Sequence, residues 1–195
     1  MPLCNERKNG AGGRAAGVLA ALLMACSPAL DWREVALQAP LQAWLPCKPE
    51  RAQRPVPLLG PGQAEVTLAM ASCVADGHTW ALGELALPSG VQPAAAARAW
   101  QLAAWATLGQ AVPTAADLPP AWAEVPCQAR GAAWQRCLRG PGHTPDGRRV
   151  LAELHWSAQG GWLVQAAVFS PPERPLPQGA RESFFGALAW RGVGP

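Results

Sequence analysis

Glu153 and His155 are the residues best placed in this sequence for acid–base or metal chemistry. They stand two positions apart in a segment that is predicted to be extended, so their side chains lie on the same side of a strand. Such a pair can share a proton or bind a metal ion. The alternative is that the pair belongs to an exposed polar face on the outward side of the strand. This alternative is favoured, because no HExxH, GxSxG, phosphate-binding glycine loop or Ser-His-Asp order accompanies the pair. We therefore predict no catalytic residue, no metal site and no cofactor.

The ten tryptophans, against no tyrosine and three phenylalanines, are a second possible source of a binding site. Indole rings stack on sugars and line apolar ligand grooves. A helix is predicted over residues 93–108, with an apolar core-facing stripe that includes Ala95, Ala99 and Ala106. Trp100 falls on the other side of this helix, and we predict that it is exposed and contacts a ligand. The alternative is that tryptophan replaces the other aromatic residues in the core.

Six cysteines, at positions 4, 26, 47, 73, 127 and 137, are too widely spaced for a CxxC redox motif or a zinc ribbon. The last four are an even number, which predicts two disulfides in an oxidising compartment. Three pairings are possible. We favour Cys47 with Cys73 and Cys127 with Cys137, because each pair lies within one neighbouring stretch of chain.

The first 29 residues have the order of a secretory signal peptide. Basic residues at 7, 8 and 14 precede an uncharged run over 15–26, which at 12 residues is shorter than the about 20 that span a bilayer. The segment 23–26 resembles a lipobox, so residues 1–25 are predicted to be removed and Cys26 to be lipidated. The alternative is a cut after Ala29. Either cut predicts an exported protein of the periplasm, and Ser27 after Cys26 favours an outer-membrane lipoprotein.

Composition limits the remaining possibilities. A length of 195 residues, with 50% hydrophobic residues, predicts a single domain over 26–195 with a substantial core. Charged residues make up 15%, and the formal net charge of +3 is not clustered, which excludes a dedicated nucleic-acid binder. Any membrane contact is expected only through the lipid anchor.

The hydrophobic periodicity predicts an α+β domain, an antiparallel sheet flanked by helices in the order strands, helix, strands, helix. A Pro-rich crossing at about 110–131 separates the two halves. Strands are predicted over 30–37, 54–59, 65–74, 79–87, 132–139, 148–157 and 161–170, and helices over 93–108 and 178–190. The segment 54–59 is placed at a sheet edge, because Pro55 and Pro57 lack amide donors.

Several short motifs carry a resemblance to a known group. They are the opening LDWREV at 30–35, the segment 45–49, Cys73 followed by residues 77–80, and the terminal run 183–185. Together they resemble small uncharacterised exported proteins of proteobacteria. The order of elements is similar to the Mog1/PsbP-like α/β sandwich. This resemblance implies an architecture and no chemistry, since that fold hosts unrelated binding roles.

The first functional hypothesis is therefore a non-enzymatic protein of the cell envelope. It binds a protein partner or a small apolar ligand through one sheet face or through the helix at 93–108. Two alternatives stay open, an enzyme with a site near Glu153 and His155, and a purely structural lipoprotein.

Overall fold

The computed structural model describes residues 30–60, 64–111 and 118–192. The predicted signal peptide, the lipidation site Cys26 and the alternative cut after Ala29 all lie outside these residues. Within the described ranges, no helix combines the length and the apolar character needed to cross a membrane.

A seven-stranded antiparallel sheet forms the centre of the structure. The long strands are β4 (Glu50–Val56), β5 (Val66–Ala75), β6 (His78–Ala86), β8 (Trp134–His143), β9 (Arg149–Gln159) and β10 (Trp162–Ser170). The short strands are β1 (Arg33–Glu34), β2 (Leu41–Gln42), β3 (Trp44–Leu45), β7 (Ala123–Glu124) and β11 (Ala189–Trp190), and the helices are α1 (Pro93–Thr107) and α2 (Gln178–Phe185). The strand order of the sheet is β4-β5-β6-β10-β9-β8-β7, and the pairs β1 with β3 and β2 with β11 lie outside it.

Two tight turns set the register of the central hairpins. Asp76 and Gly77 join β5 to β6 with φ values of 50° and 76°, and Gly160 and Gly161 join β9 to β10 with φ values of 56° and 80°. Positive φ at both turn residues matches the twist of antiparallel strands, and glycine adopts it without a steric penalty. The predicted hairpin at Asp76-Gly77 is confirmed, and β4 is confirmed as an edge strand.

The sheet is covered on both faces, which we name by the helix that packs on each. The α1 face buries side chains such as Leu68, Leu85, Leu154 and Trp156 beneath α1. The α2 face buries side chains such as Trp80, Leu82, Val164 and Val168 beneath α2 and the N-terminal segment 30–45. Central strands of this sheet are therefore buried on both sides, unlike the half-exposed strands of a two-layer sheet.

The N-terminal segment is held on the α2 face by polar contacts and a disulfide. The Glu84 carboxylate, 5% exposed, accepts the backbone N–H groups of Gln38 and Ala39 at 3.0 and 2.7 Å. Cys47 is bonded to Cys73 on β5, with Cα atoms 6.0 Å apart. A bond that closes a loop of this size stabilises a fold by about 2–4 kcal/mol.

The crossing between α1 and β8 is fastened to the sheet edge at two points. Cys127 is bonded to Cys137 on β8, the second of the favoured pairs. The Trp122 ring lies on Gly140, where an added Cβ would sit 2.4 Å from it, and its Nε1 donates to the Pro141 carbonyl at 3.0 Å. Residues 112–117 of the predicted crossing lie outside the described part of the chain.

The expected α+β sandwich with helices flanking the sheet is wrong. The described chain is mostly β, at 44% strand and 15% helix, and it contains only two helices. The predicted strand at 30–37 reduces to β1, because this segment lies across the α2 face and pairs only briefly with β3. The closing helix ends at Phe185, and Ala189–Trp190 pairs instead with β2. Extended chain thus covers much of the face where helix was expected.

Candidate functional site

A cavity of about 350 Å³ lies between the C-terminal half of α1, the edge strand β4 with its neighbour β5, and the centre of the sheet. Its volume falls within the range of about 300–1,000 Å³ that small-molecule sites occupy. Most of its wall is apolar. The large apolar side chains that line it are Leu68, Met70, Trp100, Leu108, Leu154 and Phe169.

The Trp100 ring lies on the backbone of Gly83 on β6, and this contact positions α1. A Cβ added to Gly83 would lie 2.9 Å from the ring, closer than packed carbon atoms approach, so a glycine is needed here. One helical turn later, Ala103 and Ala104 face the cavity with side chains of a single carbon. A wide indole followed by two small residues leaves space between this part of the helix and the sheet.

Gln165 on β10 contributes the buried polar group of the cavity. Its cross-strand neighbours are Gly83 on β6 and Trp156 on β9. Because directly paired residues of antiparallel strands point to the same face, the Gln165 side chain lies on the α1 face. Gln165 is 8% exposed, and its Nε2 has no hydrogen-bond partner within the described residues. An unpaired buried polar group costs about 1–3 kcal/mol, so a polar atom of a ligand or a water molecule placed beside this amide would relieve that cost.

Arg54 on β4 is the only charged residue among the described residues that line the cavity. It pairs across the ladder with Leu68, another lining residue, so both side chains belong to the α1 face at the edge of the sheet. The cavity therefore runs from an exposed cationic edge strand toward the buried amide on β10.

A second cavity of about 410 Å³ lies on the other side of α1, beside β8. Several of its polar groups are paired, although the Gln101 Nε2 is buried without a hydrogen-bond partner within the described residues. Arg136 donates to Glu124 at 3.1 Å and to the Gln101 Oε1 at 3.4 Å, and the Arg98 guanidinium lies over the Trp105 ring at 5.4 Å. Occupation by a ligand would have to break these contacts, so we do not take this cavity as the functional site.

The predicted exposure of Trp100 is wrong, because the side chain is 6% exposed. The buried side of α1 carries Trp100 and Trp105, whereas Ala95 and Ala106 of the predicted core stripe are exposed. Alanine contributes little apolar area, so the large indole rings decide which side of this Ala-rich helix is buried. Trp100 does line the cavity, and its contact with a ligand stays a prediction.

The predicted exposed polar face at Glu153 and His155 is also wrong, since each residue is 5% exposed. The His155 Nε2 donates to the Glu153 carboxylate at 3.2 Å, and the His155 ring stacks on Phe185 of α2 at 3.8 Å between centroids. Arg181 of α2 donates to the same carboxylate at 2.9 Å. These contacts join α2 to the sheet and cover the pair, so they favour a structural role over a catalytic one.

Burial determines the charge state of this cluster. It lowers the pKa of His155, and this effect outweighs the hydrogen bond to Glu153, which favours the charged ring. Burial alone would raise the pKa of Glu153, but the hydrogen bond from His155 and the charge of Arg181 hold that pKa below its ordinary value. At neutral pH the cluster is therefore a neutral imidazole, an ionised carboxylate and a guanidinium.

Metal-binding residues do not converge elsewhere. Within the described ranges, no group of three or more His, Cys, Asp or Glu side chains could hold a metal ion.

The sequence patterns do not single out Gly83, which contacts Trp100, or Gln165, which lines the cavity. A glycine inside an otherwise apolar strand indicates a close approach by another group, and that signal was present at Gly83.

No protein-family model matches the chain, and no curated protein matches it significantly.

We expect the free energy of unfolding to fall as the pH decreases from 7 to 5, partly through His155. Its pKa is lowered on folding from an ordinary value of 6.5, so the unfolded chain binds the proton more readily. The stability that this histidine contributes is thus complete above that value and is lost as the pH falls through it. Urea unfolding at several pH values should show a shallower pH dependence in His155→Phe than in the wild type.

His143→Phe, at an exposed position on β8, should keep the wild-type dependence. Equal slopes for wild type and His155→Phe would contradict the buried state of the ring.

Proposed function

We propose that this protein is a non-enzymatic protein of the cell envelope that binds a small apolar ligand in the cavity beneath α1. The observation that carries the proposal is an apolar cavity with one buried amide, Gln165, that lacks a hydrogen-bond partner within the described chain. Ligand sites typically combine apolar walls with a few polar groups that orient the ligand.

The size of the cavity limits the ligand. A water molecule occupies about 30 Å³ in the liquid, so a cavity of about 350 Å³ has room for on the order of ten non-hydrogen atoms. Burial of seven methylene groups at about 0.8 kcal/mol each contributes about 6 kcal/mol. This free energy corresponds to a Kd of about 40 µM before the cost of association is subtracted.

A small ligand is favoured over a protein partner by the surface of the molecule. Among the described residues, Val74 is the one large hydrophobic residue recorded as exposed, at 71%. Protein-binding surfaces usually present a contiguous apolar patch, and a single valine does not make one. The enzyme alternative is disfavoured because Glu153 and His155 are covered by α2.

The two disulfides are compatible with an exported protein that folds in an oxidising compartment. We infer the finer localisation from the sequence of the first 29 residues: a periplasmic lipoprotein anchored through Cys26, or a free periplasmic protein cut after Ala29. A purely structural lipoprotein is the outcome that remains if no small ligand binds.

Ala104→Phe should abolish ligand binding by filling the cavity. Ala104 lines the cavity, and a phenyl group occupies much of a space that holds about ten atoms. We expect wild type to bind 1-octanol with a Kd between about 40 µM and 1 mM in calorimetric titration, and the variant to show no saturable heat.

Ala106→Phe is the matched control, since Ala106 is exposed on the same helix and does not line the cavity. Near-ultraviolet circular dichroism establishes that each variant is folded, and Ala104→Leu replaces Ala104→Phe if the larger ring prevents folding. Binding by Ala104→Phe as tight as by wild type would place the ligand elsewhere, and failure of wild type to bind would refute the proposed function.

The mass of the mature protein tests the proposed export. We expect a chain that starts at Cys26 with a lipid on its sulfur, or a chain that starts at Leu30, and in both cases four cysteines oxidised to two disulfides. Intact-mass spectrometry with and without reductant measures all three properties. Recovery of an unprocessed chain that retains Met1, with four free thiols, would contradict the proposal.

A further inference from the structure

We propose that the ligand of the α1 cavity is a single-chain carboxylate of medium length, with its head group bound by Arg54 and its hydrocarbon tail beneath α1. This inference rests on the proposed function and identifies the chemical class of the ligand.

The charge of the cavity lining points to an anion. Of the residues that the structure describes, those that line the cavity include one cation, Arg54, and no aspartate or glutamate. An apolar cavity with a guanidinium at its edge is complementary to a molecule with an apolar tail and an anionic head, because guanidinium binds carboxylate through parallel hydrogen bonds.

Arg54 forms no salt bridge with an aspartate or glutamate of the described chain. Six arginines of the described chain form salt bridges with aspartate or glutamate, and Arg54 is not among them. The paired arginines are Arg33, Arg136, Arg148, Arg174, Arg181 and Arg191. The guanidinium of Arg54 is therefore available to a ligand without the loss of an existing ion pair.

The sheet geometry gives the length of the ligand. Arg54 is on the edge strand β4, and the buried amide of Gln165 is on β10, three strands further in. Neighbouring strands are about 4.8 Å apart, so the backbones of β4 and β10 lie about 14 Å apart. A single chain of about eight carbons that starts at Arg54 matches the capacity of about ten atoms, ends short of the Gln165 amide and leaves that amide to a water molecule. A two-chain lipid exceeds this capacity.

Arg51 provides an internal comparison on the same strand. It pairs with Ala71, whose side chain belongs to the α2 face, and it donates to the Ala36 carbonyl at 3.0 Å. Arg51 and Arg54 therefore lie on opposite faces of β4. Charged residues also protect edge strands from pairing with other chains, and that role would apply to both arginines equally.

The test uses three probes with the same eight-carbon chain: octanoate, 1-octanol and octylammonium. We expect octanoate to bind wild type about three- to fivefold more tightly than 1-octanol, the range expected of a partly exposed ion pair, and octylammonium to bind more weakly than either. Arg54→Gln should remove the advantage of octanoate and leave the affinity for 1-octanol unchanged. Arg51→Gln, which removes the same charge from the other face, should bind all three probes as wild type does. The preference for octanoate should also shrink at high salt.

Failure of this inference is distinct from failure of the proposed function. If all three probes bind wild type with equal affinity and Arg54→Gln binds octanoate as wild type does, the anionic head group is refuted while ligand binding stands. Equal losses in Arg54→Gln and Arg51→Gln would also refute it, because the effect would then be one of net charge. If none of the probes binds, the proposed function itself is overturned.

Discussion

The packing of the Trp100 ring on the backbone of Gly83 is the contact on which the cavity beneath α1 depends. It limits how close α1 comes to the sheet, because an edge of the indole ring, Cζ2 and Cη2, lies against the strand where an added Cβ would be 2.9 Å away. Two further contacts of the same kind hold this layer, Trp122 on Gly140 and Leu108 on Gly142, where an added Cβ would lie 2.4 and 2.9 Å from its neighbour. Glycines in the strands thus admit large side chains from the covering layer, and the small residues between those contacts leave the cavity unfilled.

The two faces of the sheet differ in a way that matches a binding role for only one of them. On the α2 face, the Glu84 carboxylate, the Cys47–Cys73 disulfide and the cluster of Glu153, His155 and Arg181 hold the covering segments in place. On the α1 face, Gln165 keeps an unpaired amide nitrogen beside an apolar space. The His155 Nδ1 on the α2 face is also buried without a partner within the described residues, so what distinguishes Gln165 is the apolar cavity beside its amide. A buried polar group without a partner is costly.

Local pattern predicted the hairpins well, because the Asp76-Gly77 turn and the apolar alternation beside it depend only on neighbouring residues. The fold class and the segment 30–37 could not be predicted in this way, since whether that segment joins the sheet depends on contacts far along the chain. Alternation also placed Glu153 and His155 on one side of β9 but could not tell that α2 covers that side. Likewise, Arg54, Gly83 and Gln165 come together only through the strand order β4-β5-β6-β10, which no local pattern contains.

The most direct test of a ligand site beneath α1 is the NMR signal of the Met70 methyl group. Met70 lines the cavity, and it is the only methionine beyond position 24, so either predicted cut leaves it as the single methionine of the processed chain. In protein labelled with ¹³C at the methionine methyl, titration with 1-octanol should shift this one resonance until it saturates, with the Kd measured by calorimetry. A resonance that stays in place while calorimetry reports saturable binding, or the absence of both responses, would contradict the account.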